Sequence, residues 1–331
     1  MKRREFVALL ASAALARPRR AIAQSSERIR VVGNLGAIPV EDPGYQLNFA
    51  ALKQGYRDLG WVEGRNLRIE ARGVPSGDTK ILGATTADLV ALAPDVIVAF
   101  NEIAVAAAHQ ATRTIPIVFL LVDDPVGHGF VVSIARPGGN MTGFVQHEPS
   151  IGGKWLQLLK QMSPSLSRVA TVFNPTANPD TPLFERWIEA AAASFSVEVT
   201  PMQVHEKAEI DASIANFARE PNGGLIVPGD PFTIGHRTRV IGAAAHYRLP
   251  AIYPIRNFAT EGGLMTYGYD QLFQVREAAS YVDRILRGAA PADLPVQSPK
   301  KYEFVINLKT AAALGLAVPP QLLTVADAVI E

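Results

Sequence analysis

Cysteine is absent from the 331-residue chain. That excludes disulfides, thiolate metal sites, a cysteine nucleophile and a cysteine-linked lipid anchor. No Gly-x-Ser-x-Gly elbow and no Walker lysine loop occur. Gly33-Asn34-Leu35-Gly36 follows a strand but lacks the three-glycine dinucleotide spacing. The six histidines (His109, His128, His147, His205, His236 and His246) include no pair at metal-ligand spacing on one helix face. Charge is sparse as well, at 19% of residues with a formal net of +1. Residues 1–23 carry Lys2, Arg3, Arg4, Arg17, Arg19 and Arg20 against Glu5, so the rest of the chain is net acidic. Such a balance gives no reason to expect a nucleic-acid partner.

Long apolar runs are also missing. Val7 to Ala16, interrupted only by Ser12, is about half the roughly 20 residues that span a bilayer. With the basic residues before it and Ala21-Ile22-Ala23 after it, this run reads as a signal peptide cleaved after Ala23. Arg3-Arg4-Glu5-Phe6 resembles a twin-arginine export signal, and an ordinary secretory signal with an incidental arginine pair is the alternative.

What the chain has is alternation of strands and helices, organised around residues 94–143. Val96 to Phe100 and Ile115 to Val122 are apolar runs of strand length on either side of an alanine-rich helical stretch, Ile103 to Thr112. Near-continuous apolar strands are buried on both faces, as in a parallel sheet. Asn101 and Glu102 follow the first strand, Asp123 and Asp124 the second. Ligands of open α/β sheets sit beyond the carboxyl ends of strands, so these loops are the first site candidates. Strands and helices recur over 28–143 and again over 150–253, which predicts two doubly wound α/β lobes. Val126 to Ile134 reads as a short helix, Thr233 to Tyr247 as one helix, and Pro320 to Val329 as another. The last third is less regular.

Asp123-Asp124-Pro125 supports three readings: a carboxylate pair for acid–base work or metal binding, a pair facing a ligand, or a strand-end turn initiated by aspartate before proline. Asp230-Pro231 repeats the arrangement in the second series, and a carboxylate at the mouth of each lobe suits an ammonium or hydroxyl groups. Asn101 serves as an N-cap with Glu102 at the helix's positive end, facing solvent. Alternatively, the amides there hold an anion, with which Glu102 would compete. His128 and His147 flank the crevice, and His109 is a packing or surface residue of its helix.

Val62-Glu63-Gly64-Arg65-Asn66, Thr114-Ile115-Pro116-Ile117-Val118, Asp124-Pro125-Val126-Gly127, Ala135 to Gly143, Leu249 to Tyr253 and Phe304 to Lys309 occur here in one order. Together they resemble the ABC transporter substrate-binding proteins of the tryptophan/tyrosine-binding type, over essentially the whole mature chain. The resemblance implies a type I periplasmic-binding-protein fold: two Rossmann-like lobes with parallel sheets joined by three crossing segments. These map to Thr142–His147, Tyr253–Phe258 and Ser298–Glu303. Lobe one would then be 24–144 plus 258–297, and lobe two 145–257 plus 298–331. In amino-acid-binding relatives a Gly/Ala-Thr-Pro-Ala loop holds the ligand carboxylate, and this chain departs from it with Phe100-Asn101-Glu102-Ile103. Asp230 matches the relatives' ammonium-holding aspartate, and Asn174 falls in the matching strand-end loop.

The expected ligand set is therefore Asn34, Asn101, Glu102, Asp124, Asn174, Asp230 and Arg256, with no catalytic residue, metal or cofactor. The implied function is that of a monomeric periplasmic receptor. It closes on a small polar molecule, amino-acid-like or aromatic, and delivers it to the permease subunits of an inner-membrane ABC importer. A hydrolase or isomerase using the Asp123, Asp124 and Asp230 carboxylates, or a ligand sensor for a signalling partner, are the alternatives.

Overall fold

The computed structural model describes residues 28–74, 79–177 and 180–331, so the segment 1–23 read from sequence as a signal peptide lies outside the described residues. The first lobe comprises β1 (Arg30–Gly36), α1 (Pro43–Asp58), β2 (Leu67–Gly73), α2 (Thr79–Ala91), β3 (Val96–Phe100), α3 (Glu102–Ala111), β4 (Ile117–Val122) and β5 (Met141–Val145). Its sheet runs β2-β1-β3-β4-β5, parallel throughout. All five residues of β3 are buried, as an apolar strand covered on both faces must be. Alternate side chains feed two cores. Val96, Val98 and Phe100 pack under α1, while Ile97 and Ala99 pack towards α2 and α3.

The second lobe begins with α4 (Ser150–Met162), β6 (Arg168–Phe173), α5 (Thr181–Phe195), β7 (Glu198–Gln203), α6 (Lys207–Phe217) and β8 (Gly223–Ile226). It continues through α7 (Pro231–Gly235), α8 (Arg237–His246), β9 (Ala251–Tyr253), α9 (Arg256–Thr260) and β10 (Met265–Tyr269). The chain then returns to the first lobe as α10 (Gln271–Leu286). It finishes in the second with β11 (Tyr302–Asn307), α11 (Leu308–Ala313), α12 (Pro320–Val325) and β12 (Ala328–Ile330). The second sheet runs β12-β11-β10-β9-β8-β6-β7, with β10 and β11 its antiparallel pair. This is a two-lobed α/β architecture with mostly parallel sheets. Among the described residues no helix is long and apolar enough to cross a membrane.

The apolar face of α10, with Val275, Ala278, Ala279 and Val282 buried, seats on α1. Contact is close enough that a methyl on Gly55 would stand 2.5 Å from the Arg276 carbonyl oxygen, so only glycine fits there.

Several sequence expectations shift. The second crossing, expected over Tyr253–Phe258, falls instead around Asp270, because β10 pairs parallel with β9 and antiparallel with β11. Residues 265–269, assigned from sequence to lobe one, therefore belong to the second sheet. Three connections between the lobes run side by side. Val145 N–H donates to the Gln297 carbonyl at 3.0 Å, and Asp270 N–H donates to that of Lys301 at 2.9 Å. Val126 to Ile134 is a set of turns rather than a helix: Gly129 takes φ 70°, and the Asp124 carboxylate accepts the Gly127 N–H. The expected helix over 233–247 breaks at His236, and the last expected helix stops at Val325, where the chain turns into β12 beside β11.

Candidate functional site

The carboxyl ends of β3 and β4 meet the start of α5 in the cleft between the lobes. Asn101 ends β3 with φ 70°, and its side-chain oxygen caps α3 by accepting the Ala104 N–H at 3.1 Å. This turn directs Glu102 inward, contrary to the solvent-facing position expected of a first-turn residue. Its Oε1 accepts the Asp123 N–H at 2.9 Å. Asp123, just beyond β4, lies buried with its Oδ1 2.8 Å from Nδ1 of His147, which is buried too. From the second lobe, Asp180 at the N-terminus of α5 places Oδ1 2.9 Å from Nε2 of His128, in the turns after β4. That bond joins the two lobes directly.

Glu102, Asp123 and Asp180 each present an oxygen within 4.8 Å of the others. Burial, and then the Asp123 charge, pushes the Glu102 carboxyl up to about 8, so at neutral pH it retains its proton. Asp180 is likewise raised, chiefly by burial, with His128 opposing the shift. Burial holds the nearby Tyr269 hydroxyl well above its ordinary value. That hydroxyl donates to Gln146 Oε1 at 2.8 Å, and its ring meets the His147 imidazole edge-on at 5.4 Å. Three carboxyl groups so close cannot all ionise cheaply without a cation among them. The three oxygens could ligate a metal ion, but hard cations take six or more oxygens or keep several waters. An ammonium, with three donors, matches three acceptors one for one.

A cavity of about 530 Å³ opens beside this cluster, walled by Asp123, Asp124, Val126 and His147 on one side and Leu183 and Trp187 on the other. A second, much smaller at about 50 Å³, lies against the first lobe and includes Asn34 and Asn101 in its lining. The structure thus brings Asn34, Asn101, Glu102 and Asp124 to the cleft. Asp124 has a turn-forming role as well, since its Oδ1 accepts Gly127 N–H at 2.7 Å.

The remaining expected residues sit elsewhere. Asp230 is the N-cap of α7: Oδ1 accepts from Phe232 and Thr233 N–H, and Oδ2 from the Thr233 hydroxyl and Asn174 N–H. Both its oxygens are engaged within its own lobe, and it lines neither cleft cavity. Asn174 caps its own loop, accepting from Thr176 and Ala177 N–H. Arg256 pairs with Glu303 on the second lobe. Sequence reasoning missed Asp180, although an aspartate ahead of Thr181-Pro182 carries the signature of a helix start. It also preferred Asp124 to Asp123, and no local pattern distinguishes those two neighbours.

Two α/β lobes with a polar cleft at their strand ends define a solute-binding protein of the periplasmic-binding-protein class. Residues 36–330 match the model of the family described as ABC transporter substrate binding protein. The chain belongs to that family, which binds a substrate rather than transforming it. A tyrosine-binding protein of Clostridioides difficile (strain R20291) is 25% identical over 277 residues, 84% of this chain and 79% of the relative. A Streptococcus pneumoniae ABC domain in complex with L-Trp superposes with a TM-score of 0.79 at 23% identity, covering 91% of this chain and 99% of the other. A ligand-free, open substrate-binding protein from Clostridium difficile gives 0.76 at 20%, over 92% and 99%.

Proposed function

We propose that the chain is the exported receptor of an ABC importer, and that it captures a small solute bearing an ammonium group in the inter-lobe cleft. The observation that carries this reading is the acidic cluster assembled from both lobes, Glu102 and Asp123 from one and Asp180 from the other. A cation seated among the three would be gripped only when the lobes meet, which couples recognition to closure. The relatives above are similar proteins associated with tyrosine and with L-Trp, both of which carry an ammonium, and they favour the same class. Delivery is to the permease subunits of the inner membrane.

Thermal denaturation against a panel of amino acids, each paired with its N-acetyl derivative, tests the reading. A free amine at 100 times its Kd should add about 2.7 kcal/mol to stability. The acetylated partner should add almost nothing, and small-angle scattering should show compaction only with the amine. Equal stabilisation by both members of every pair would remove the ammonium from the proposal.

The export step has its own measurement. N-terminal sequencing of periplasmic protein should begin at Gln24. A mature form that starts at Met1 would overturn it.

A further inference from the structure

Helices α3, α4 and α5 all begin at the cleft, and each has an acidic residue at its start. Glu102 is the first residue of α3, Asp180 directly precedes α5, and Glu148 stands two residues ahead of α4. A helix N-terminus is ordinarily a ready place for an anion, because its amides point outward and its dipole is positive there. Here the chain's own carboxyl groups occupy those ends. Asn101 Oδ1 takes the Ala104 N–H at 3.1 Å, and Glu102 Oε1 takes the Asp123 N–H at 2.9 Å, so neither donor is left for a guest. At the start of α4 the Ile151 N–H goes to the Glu148 carbonyl.

Charge around the cavity of about 530 Å³ runs the same way. Asp123, Asp124 and Glu148 line it, and among the described residues no lysine or arginine does. Its one imidazole is that of His147, whose Nδ1 is committed to Asp123. The remaining walls are largely apolar, with Val126, Ile134, Leu183 and Trp187 among them. The smaller cavity has no charged lining at all. An ammonium among Glu102, Asp123 and Asp180 therefore has counter-ions on three sides. A carboxylate on the adjoining carbon would enter the same acidic surroundings with none, and like charges brought together in a desolvated site repel. The proton that Glu102 retains at neutral pH offers such a group a single donor, against Asp124 and Glu148 bordering the same space.

We infer that the solute is an amine without a carboxylate, and that the acidic residues at the three helix starts set this specificity by favouring decarboxylated amines over the parent amino acids. The inference rests on the receptor reading and narrows its substrate class, from any ammonium-bearing solute to cations that carry no negative group. Specificity of this kind is a difference of affinities, built here by placing unpaired like charge where the competitor's extra group must go. Glu148 is the residue that separates the two effects. It lines the cavity but lies outside the three-carboxyl cluster that holds the ammonium, so changing it alters the surroundings of a carboxylate more than those of the amine.

Calorimetry on the purified protein with matched pairs reads the carboxylate alone: cadaverine against L-lysine, histamine against L-histidine, and tryptamine against L-tryptophan. At about pH 8.5 the Glu102 carboxyl, pushed up to about 8, is mostly ionised, while every probe keeps an ammonium. In each pair that binds, the amine should bind about tenfold more tightly than the amino acid, or better. Glu148→Gln removes one charge from the cavity wall and should narrow that lead about threefold. Glu148→Lys supplies a counter-ion and should bring the amino acid level with its amine or ahead of it. Glu148 is half-buried and outside the hydrophobic cores, so both variants should melt as the wild type does.

Amino acids that bind as tightly as their amines to the wild type, no binding by any of the three amines, or a lead that neither Glu148 variant changes would each overturn the inference. The N-acetylated amines keep it apart from the reading on which it rests. If they stay silent while amines and amino acids bind alike, the ammonium stands and this specificity falls. If an N-acetylated amine binds as well as the free one and the amino acid is still disfavoured, rejection of carboxylates stands and the ammonium falls.

Discussion

Glu102→Gln is expected to weaken an ammonium-bearing ligand by at least tenfold and to raise the melting temperature of the unliganded protein near pH 8. The affinity loss follows from taking one charge out of a desolvated contact, a change of roughly 2–5 kcal/mol. Stability moves the other way because the Glu102 carboxyl is pushed up to about 8 in the fold, by burial first and by Asp123 second. The unfolded chain releases this proton near the ordinary glutamate value of 4.5. Between those two values the folded state holds a proton that the unfolded state has lost, so stability falls as pH rises through the window. Glutamine cannot ionise and removes that slope. Binding has the opposite dependence: the ammonium requires the carboxylate, so wild-type affinity should climb from pH 6 to pH 8 by at most tenfold per unit. Calorimetry in buffers of different ionisation enthalpy should record proton release on binding at pH 7. A flat pH profile with unchanged affinity in Glu102→Gln would count against the cluster as the ammonium site.

Trp155→Ala should cost about 3–5 kcal/mol of stability, the range for emptying a fully buried aromatic position. Trp155 on α4 has no exposed surface, and its indole N–H donates to the Tyr267 carbonyl at 2.8 Å. It packs 6.2 Å from Phe184 and 6.2 Å from His147, centre to centre, so the same ring that fills the second lobe's core backs the histidine paired with Asp123. Urea unfolding should show the loss concentrated in the second lobe, since the first has its own cores under α1 and under α2 and α3. Ligand affinity should fall too, as His147 loses its support. Trp155→Phe keeps most of the packing and should lose chiefly the hydrogen bond, about 1 kcal/mol. A change under 1 kcal/mol in Trp155→Ala would mean that the position collapses without penalty.

The organising βαβ unit was legible from sequence because burial on both faces leaves a continuous apolar signature over Val96 to Phe100 and Ile117 to Val122. The N-cap at Asn101 was legible for a similarly local reason. Hidden was the direction of Glu102, which depends on where the β4 end lies in space, 21 residues further along the chain. Asp230 is ambiguous in sequence because a cap and a ligand contact ask for the same residue at the same strand end; in the structure it accepts four hydrogen bonds within its own lobe. The crossing at Asp270 escaped as well. Periodicity reports that Met265 to Tyr269 is buried, but not which of two sheets covers it. Asn34 was expected among the ligand residues from sequence, but its lack of hydrogen-bond partners among the described residues is visible only when every neighbour is in place.

The bond between His128 and Asp180 joins side chains of the two lobes directly. Apparent affinity is the intrinsic affinity scaled by the fraction of molecules already competent to bind. A bond between the lobes therefore bears on how much of the cleft's grip is expressed. Strengthening that tie would raise the fraction of molecules with the lobes together before any solute binds, while weakening it would make the solute spend part of its own binding energy on bringing them together.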